Sequence, residues 1–399
     1  MTSQVQIEHT LLPSSNPDRD LIHIVIPGKE LCAQAQDFVS SWYKDGTYLP
    51  PNLGSVLPYL LISLYSHKYQ ILISYLEPNI SLSSINKLSN GKDIDFTSFP
   101  DRYFAKLRAV FLICSHFNPV RKLIYHIKSK RNQSNNIHFP SVTELQHGWL
   151  VGKSSILHPK LKECNPDNYL VVDEYSRRFL NWSDSDVKVE NIGDVLFSTQ
   201  LLHEFRSSNF EESPSENYSH NLLICFSERD IEIGYASKSY HLIDEIPVPE
   251  EVIPYYEYLQ SQYKTVNLRL RSKPHQSANS LTDKNFPQLT TQNSIANDIL
   301  WADSVVSAIS TVSISSSFLN IPSFFYNSGG SKLHTVLIKQ YFSKVMHLKV
   351  LKSQKDLFVK YIHRYQDWTK KDASKRKKTG LNYARLTTNN FYNYVDSIL

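Results

Sequence analysis

Short apolar runs alternate along the chain with segments of helical periodicity. In the first half, Leu21–Pro27 (Leu-Ile-His-Ile-Val-Ile-Pro) and residues 109–116, 141–145 and 169–172 predict buried strands. A helix is predicted over 120–130, where Leu123, Ile124 and Ile127 share one face. Residues 204–219 are polar, carry Pro214 and read as a loop or linker. A second series follows, with strands at 220–226, 265–270, 304–309 and 321–326 and helices at 250–263, 295–301 and 311–319. The stretch after Tyr326 reads as largely helical. Strands interleaved with helices imply parallel sheets and an α/β class. Two such series imply two Rossmann-like, doubly wound domains, 1–203 and 220–399, joined by 204–219 and facing a central cleft. Ligands of such sheets bind outside the carboxyl ends of the strands.

Composition narrows this picture without redirecting it. With 41% hydrophobic and 20% charged residues, a packed core is available and global disorder is excluded. The four cysteines, Cys32, Cys114, Cys164 and Cys225, lie too far apart for a zinc knuckle or a disulfide framework, which fits a reducing cytoplasm. The N-terminus lacks a basic and apolar leader, and the longest apolar stretch, 56–65, is broken by Pro58. That is far short of the roughly 20 residues of a membrane helix. The expectation is a cytoplasmic protein whose membrane contact, if it has one, is peripheral at the inner face. The net charge of +5 is not interleaved with aromatics in any recognition motif, so nucleic acid is not an expected partner.

Four segments carry candidate chemistry. The strand at 304–309 runs into Ser310-Thr311, whose hydroxyls can cap a helix and leave N–H groups at its positive end. Such an end suits a phosphate, although an ordinary cap reads the same way. Ser313, Ser315 and Ser316 are small enough to admit a ligand or the sheet. Arg269-Leu270-Arg271-Ser272-Lys273-Pro274-His275 closes a strand, and its bases can offset a phosphate leaving group or stand solvated. In Gln146-His147-Gly148, histidine can take a proton from an acceptor hydroxyl, or serve only a turn. Asp45-Gly46 is a second candidate base and also a common turn; Glu144 is a further acid at a strand end. Asp93-Ile94-Asp95 and Asp184-Ser185-Asp186 have the spacing of a metal-binding acid pair but read as loop acids, so no metal site is expected. The basic run Lys370–Lys378 suits an anionic lipid surface or a solvated helix face.

Three of these blocks resemble GT-B glycosyltransferases. Ala302-Asp303, Ser310-Thr311 and Pro322 fall in the order of the nucleotide-binding half of that family, with Ser315 or Ser316 where an acidic residue is usual. Lys273-Pro274-His275 is similar to the His-Pro block of bacterial sialyltransferases, Kdo transferases and polyol-phosphate transferases, with the proline before the histidine and Gln276 after it. Gln146-His147-Gly148, followed by Leu157-His158-Pro159 and Pro166-Asp167-Asn168-Tyr169-Leu170, resembles capsule and lipopolysaccharide glycosyltransferases. Asp45-Gly46 looks like part of the acidic-acidic-Gly triplet of sialyltransferases, with Lys44 in place of the first acid.

The resemblance implies a metal-independent transferase with a nucleotide-sugar as donor substrate and no further cofactor. Arg271, Lys273, Ser310, Thr311 and Ser313 would hold the donor, and His275 would act at the leaving group. His147 or Asp45 would serve the acceptor, a bacterial surface glycan or its lipid-linked form. CMP-sialic acid or CMP-Kdo is favoured as donor over UDP- and GDP-hexoses. A nucleotide-sugar 2-epimerase of the same fold and a non-catalytic glycan-binding or assembly protein are the alternatives.

Overall fold

The computed structural model describes residues 7–11, 19–27, 53–76, 101–113, 118–133, 140–146, 162–174, 176–177, 186–207, 219–226, 240–244, 246–272, 294–307, 311–319, 321–326, 348–351 and 373–399. The chain divides into two compact units, Met1–Thr199 together with Thr387–Leu399, and Gln200–Leu386.

The sheet of the first unit contains β1 (Ile7–Leu11), β2 (Leu21–Pro27), β3 (Gln70–Leu76), β4 (Leu107–Leu112), β5 (Ser141–Leu145), β6 (Asn168–Val171) and β7 (Lys188–Asn191). Its order is β1-β3-β2-β4-β5-β6-β7, parallel throughout except for β1, which runs antiparallel to β3. Helices α1 (Leu53–Tyr65) and α2 (Asp101–Lys106) precede β3 and β4, and α3 (Asn118–Gln133) follows β4. Helix α3 opens on Asn118-Pro119, where the fixed φ of proline suits a first turn, and ends with Lys130 and Arg131 against its negative pole. Its Val120, Leu123, Ile124 and Ile127 are buried with Val110, Leu112 and Val142 of the sheet.

The opposite face of this sheet is covered from the far end of the chain. Helix α8 (Ala373–Ile398) brings Phe391 to within 6.2 Å of Phe111, ring to ring, and the Tyr394 hydroxyl to 2.8 Å from Thr143 Oγ1. Phe111 and Thr143 are register partners on β4 and β5, so they share that face. The Tyr65 hydroxyl donates to Asp396 Oδ1 at 2.9 Å. Although the sequence suggests a second domain running to residue 399, Thr387–Leu399 packs with the first unit.

The second unit has a five-stranded parallel sheet of β8 (Ser219–Phe226), β11 (Thr265–Ser272), β12 (Ser304–Ser307), β13 (Ser323–Tyr326) and β14 (Leu348–Leu351), in the order β11-β8-β12-β13-β14. A hairpin of β9 (Tyr240–Ile243) and β10 (Ile246–Pro249) leads into α5 (Ile253–Gln262). Asp244 takes φ 49 at the hairpin turn, a conformation that aspartate tolerates better than most residues. Val252, Tyr255, Tyr256 and Leu259 pack on Leu222, Ile224, Leu270, Val306 and Phe324. Helices α6 (Ile295–Trp301) and α7 (Thr311–Phe318) precede β12 and β13.

Several boundaries differ from the sequence reading for physical reasons. Helix α4 (Val195–Ser207) continues through 204–207, part of the expected linker, because Glu204 has partners there: its carboxylate accepts from the Ser294 hydroxyl at 2.7 Å and the Asn297 amide at 3.1 Å. Strand β11 extends to Ser272 rather than 270, since Arg271 pairs in register with Cys225 and Ser272 with Phe226. Strand β14 lies within the stretch expected to be largely helical. No helix among the described residues is long and apolar enough to cross a membrane.

Candidate functional site

In the second unit, β8 is the first strand of the sheet in chain order, β11 lies on one side of it and β12 on the other. The winding therefore reverses between β8 and β12, and the ligand crevice of an open α/β sheet lies outside the carboxyl ends at such a reversal. Those ends are Phe226 and Ser307. Helix α7 begins at Thr311, just past the end of β12, so its first turn, whose N–H groups have no partner within the helix, stands at this edge. Strand β11 ends at Ser272 on the other side of β8. Two strand spacings separate the ends of β11 and β12, about 10 Å. Ser310, Lys273 and His275 lie outside the described residues, as do the side chains of Thr311 and Ser313.

Ser316, in contrast, faces the sheet, and Ser315 beside it is buried. The Ser316 and Ser323 hydroxyls hydrogen-bond, tying α7 to β13. The small size of Ser316 admits the sheet. Asp303, part of the family-like Ala-Asp pair, also has a structural task. Its Oδ2 accepts from the Asn221 N–H at 3.0 Å, and its own N–H donates to the Asn221 carbonyl at 2.9 Å. This pins the starts of β12 and β8 together, at the edge away from the crevice.

Arg271, expected to meet a donor phosphate, is bound within the protein. It is 4% exposed, and its Nη1 donates to Asp298 Oδ2 at 2.6 Å. Arg269 donates to Oδ1 of the same carboxylate at 3.1 Å and lies over the Trp301 ring at 4.0 Å. Asp298 itself is fully buried. Burial pushes the neighbouring Cys225 thiol up to about 12; Asp298 adds to the shift and Arg271 opposes it. Asp298 and Trp301 are not among the residues singled out from the sequence. The available signal was the alternation on β11, where Val266, Leu268 and Leu270 define one face and Arg269 and Arg271 the other. Both cations thus lie on one side of the sheet, where a single carboxylate can meet them.

In the first unit the winding reverses between β2 and β4, and β5 is the next strand outward. Strand β5 ends at Leu145, and Gln146 fixes the direction of the chain beyond it. This residue is 4% exposed; its N–H donates to the Leu170 carbonyl at 2.9 Å, its Oε1 accepts from the Val172 N–H at 3.1 Å and its Nε2 donates to Ser176 Oγ at 3.3 Å. Glu144, the further acid at the end of this strand, is 2% exposed. Burial lowers the pKa of the Arg121 guanidinium, while Cys164 and Glu144 oppose that shift. Burial raises Tyr169 far above its ordinary value, and Glu144 adds to the effect. Asp167 is structural: it accepts from the Val142 N–H at 3.0 Å and pairs with Lys128 at 3.1 Å and Arg131 at 3.3 Å. His147 and Asp45 lie outside the described residues, as do Asp93, Asp95 and Asp184; Asp186 is exposed. Among the described residues, no group of three His, Cys, Asp or Glu side chains is placed to hold a metal ion.

No family model and no curated protein matches the chain. Solved structures are similar over most of its length. They include the S. aureus MnaA-UDP co-structure (12% identity, 95% of this chain and 96% of that one, TM-score 0.43). The wall teichoic acid polymerase TagF matches at 11% identity over 95% of this chain and 89% of that one, with TM-score 0.46. The UDP-GlcNAc 2-epimerase from Methanocaldococcus jannaschii matches at 11% identity over 92% of this chain and 99% of that one, with TM-score 0.45. At these TM-scores the likenesses assign no residue, ligand or activity to this chain. Its two α/β units rest on their own parallel sheets.

Proposed function

We propose that the protein is a glycosyltransferase of the GT-B type that transfers a sugar from a nucleotide-activated donor to a bacterial surface glycan. The observation that carries this reading is the start of α7, at Thr311, beside the winding reversal of the second sheet. A helix N-terminus there offers N–H donors and positive potential to a phosphate. In this reading Ser310, Thr311, Ser313, Lys273 and His275 hold the donor phosphate. The acceptor oxygen attacks the anomeric carbon, and the bond from that carbon to the phosphate oxygen breaks. The nucleotide leaves with the electron pair, and His147 or Asp45 takes the acceptor proton. Basic side chains and the helix end, rather than a metal, offset the leaving charge. CMP-sialic acid or CMP-Kdo is the favoured donor, on the similarity of the Lys273-Pro274-His275 block to the His-Pro block. The run Lys370–Lys378, which enters α8 and of which Lys378 is exposed, would hold the protein near a lipid-linked acceptor.

The test is thermal unfolding with CMP, CDP, UDP and GDP, for the wild type and for Ser310→Ala combined with Thr311→Ala. A nucleotide at a hundred times its Kd stabilises by about 2.7 kcal/mol. One of the four is expected to stabilise the wild type, and the double variant is expected to lose most of that gain. Stabilisation by none of them would refute the reading. His147→Ala is expected to keep nucleotide binding and lose transfer. Release of free, epimerised sugar without any acceptor would identify an epimerase instead.

A further inference from the structure

Asp298 is a fully buried carboxylate that receives two guanidinium groups, Arg271 at 2.6 Å and Arg269 at 3.1 Å. The two arginines are two residues apart and so lie on one face of β11. On its other face, Leu268 and Leu270 pack with α5. Helix α6 thus holds β11 by charge on one side, while α5 holds it by apolar packing on the other. The helix is itself anchored: Ser294 caps it by accepting from the Asn297 N–H at 3.0 Å and donates to Glu204 at 2.7 Å. Trp301, at the last position of α6, lies against Arg269.

This is more charge than joining a helix to a sheet requires. An apolar pair of similar volume commonly holds such a junction as well as a buried ion pair does. An ion pair with directed hydrogen bonds adds orientation. Here the oriented position is Arg271, next to last in β11. Among the described residues β11 has a strand neighbour only in β8, so its end is less constrained by the sheet than those of β8 and β12.

We infer that Asp298 is a positioning residue for the donor site. By fixing Arg271 it sets the carboxyl end of β11 beside β8, at the same sheet edge as the start of α7. Arg271 is then a strut and not itself a phosphate ligand. The inference rests on the nucleotide-binding reading above.

Asp298→Asn separates the two roles, because it keeps size and an acceptor oxygen but removes the charge that holds Arg271. A strut predicts about tenfold weaker binding, by isothermal titration, of whichever of CMP, CDP, UDP and GDP the wild type binds, with an unchanged salt dependence. A direct phosphate ligand predicts the opposite, since a guanidinium released from its carboxylate would bind phosphate more tightly and with steeper salt dependence. Should Asp298→Asn not unfold cooperatively, Asp298→Leu combined with Arg271→Met replaces the ion pair by packing. That variant is expected to fold and to bind within threefold of the wild type. Its loss of binding, or unweakened binding by Asp298→Asn, overturns the inference while leaving the donor reading standing. A wild type that binds none of the four nucleotides overturns both.

Discussion

Phe391→Ala tests how the first unit is completed. Phe391 is fully buried on α8 and meets Phe111 at 6.2 Å across the sheet face that α3 does not cover. Truncating a buried phenylalanine to alanine costs about 3–5 kcal/mol, as lost transfer energy plus the cavity left behind. Against a usual total stability of about 5–15 kcal/mol this is a large fraction. For a unit of about 200 residues, each kcal/mol shifts Tm by roughly 2–4 °C, so the expected fall is about 6–20 °C. Hydrogen exchange followed by peptide mass spectrometry gives the location. Peptides covering β4 and β5 should lose protection, because α8 is their cover, and peptides covering β8 and β11 should not. A variant that loses protection in β8 and β11 while β4 and β5 stay protected would refute the assignment of Thr387–Leu399 to the first unit.

Two further outcomes follow from local geometry. A Cβ on Gly380 would lie 2.0 Å from a methyl of Leu319, which is itself 2% exposed and has little room to turn aside. Gly380→Ala gains about 1 kcal/mol in helix propensity, but overpacking costs about 1–3 kcal/mol, so urea unfolding should show net destabilisation; a raised midpoint would contradict this packing. The Cys225 thiol, raised from its ordinary 9.0 to about 12, stays protonated in the folded state while the unfolded thiol ionises. Its contribution is fully present below pH 9 and lost as pH rises towards about 12, at about 1.4 kcal/mol per pH unit. Cys225→Ala should therefore flatten the alkaline decline in unfolding free energy between pH 9 and 10; an identical slope in both proteins would count against the burial of this thiol.

How much of this could be read from the sequence depended on whether an element carried its own punctuation. Leu21–Pro27, Ser141–Leu145 and Ile295–Trp301 lie where the sequence reading places them: the first is an apolar run, the second follows Pro140 and the third follows the capping Ser294. Strand β11 appeared to stop at Leu270 because Arg271 and Ser272 look like the start of a loop. The carboxylate that buries Arg271 lies 27 residues further along the chain, beyond any local window. Glu204 looked like linker for the same reason, its partners Ser294 and Asn297 being 90 and 93 residues away. The stretch that holds α8 reads as helical, but a helical pattern does not name the sheet it covers. At the candidate site, the sequence reading starts a helix at Thr311, where α7 begins. It offered Ser315 and Ser316 to a ligand or to the sheet, and only the tertiary structure shows that both are buried and that Ser316 meets β13.

The long reach of α8 has a consequence for synthesis. Thr143 and Tyr394 are 251 positions apart, and Tyr65 and Asp396 are 331 apart. At translation rates of about 5–20 residues per second, β4 and β5 would wait roughly 12–50 s after emerging before their lid is made. During that interval the face of β4 and β5 that carries Phe111 and Thr143 lacks α8. A nascent chain in this condition is a natural client for holding chaperones, and slowing the ribosome late in the message would lengthen its exposure.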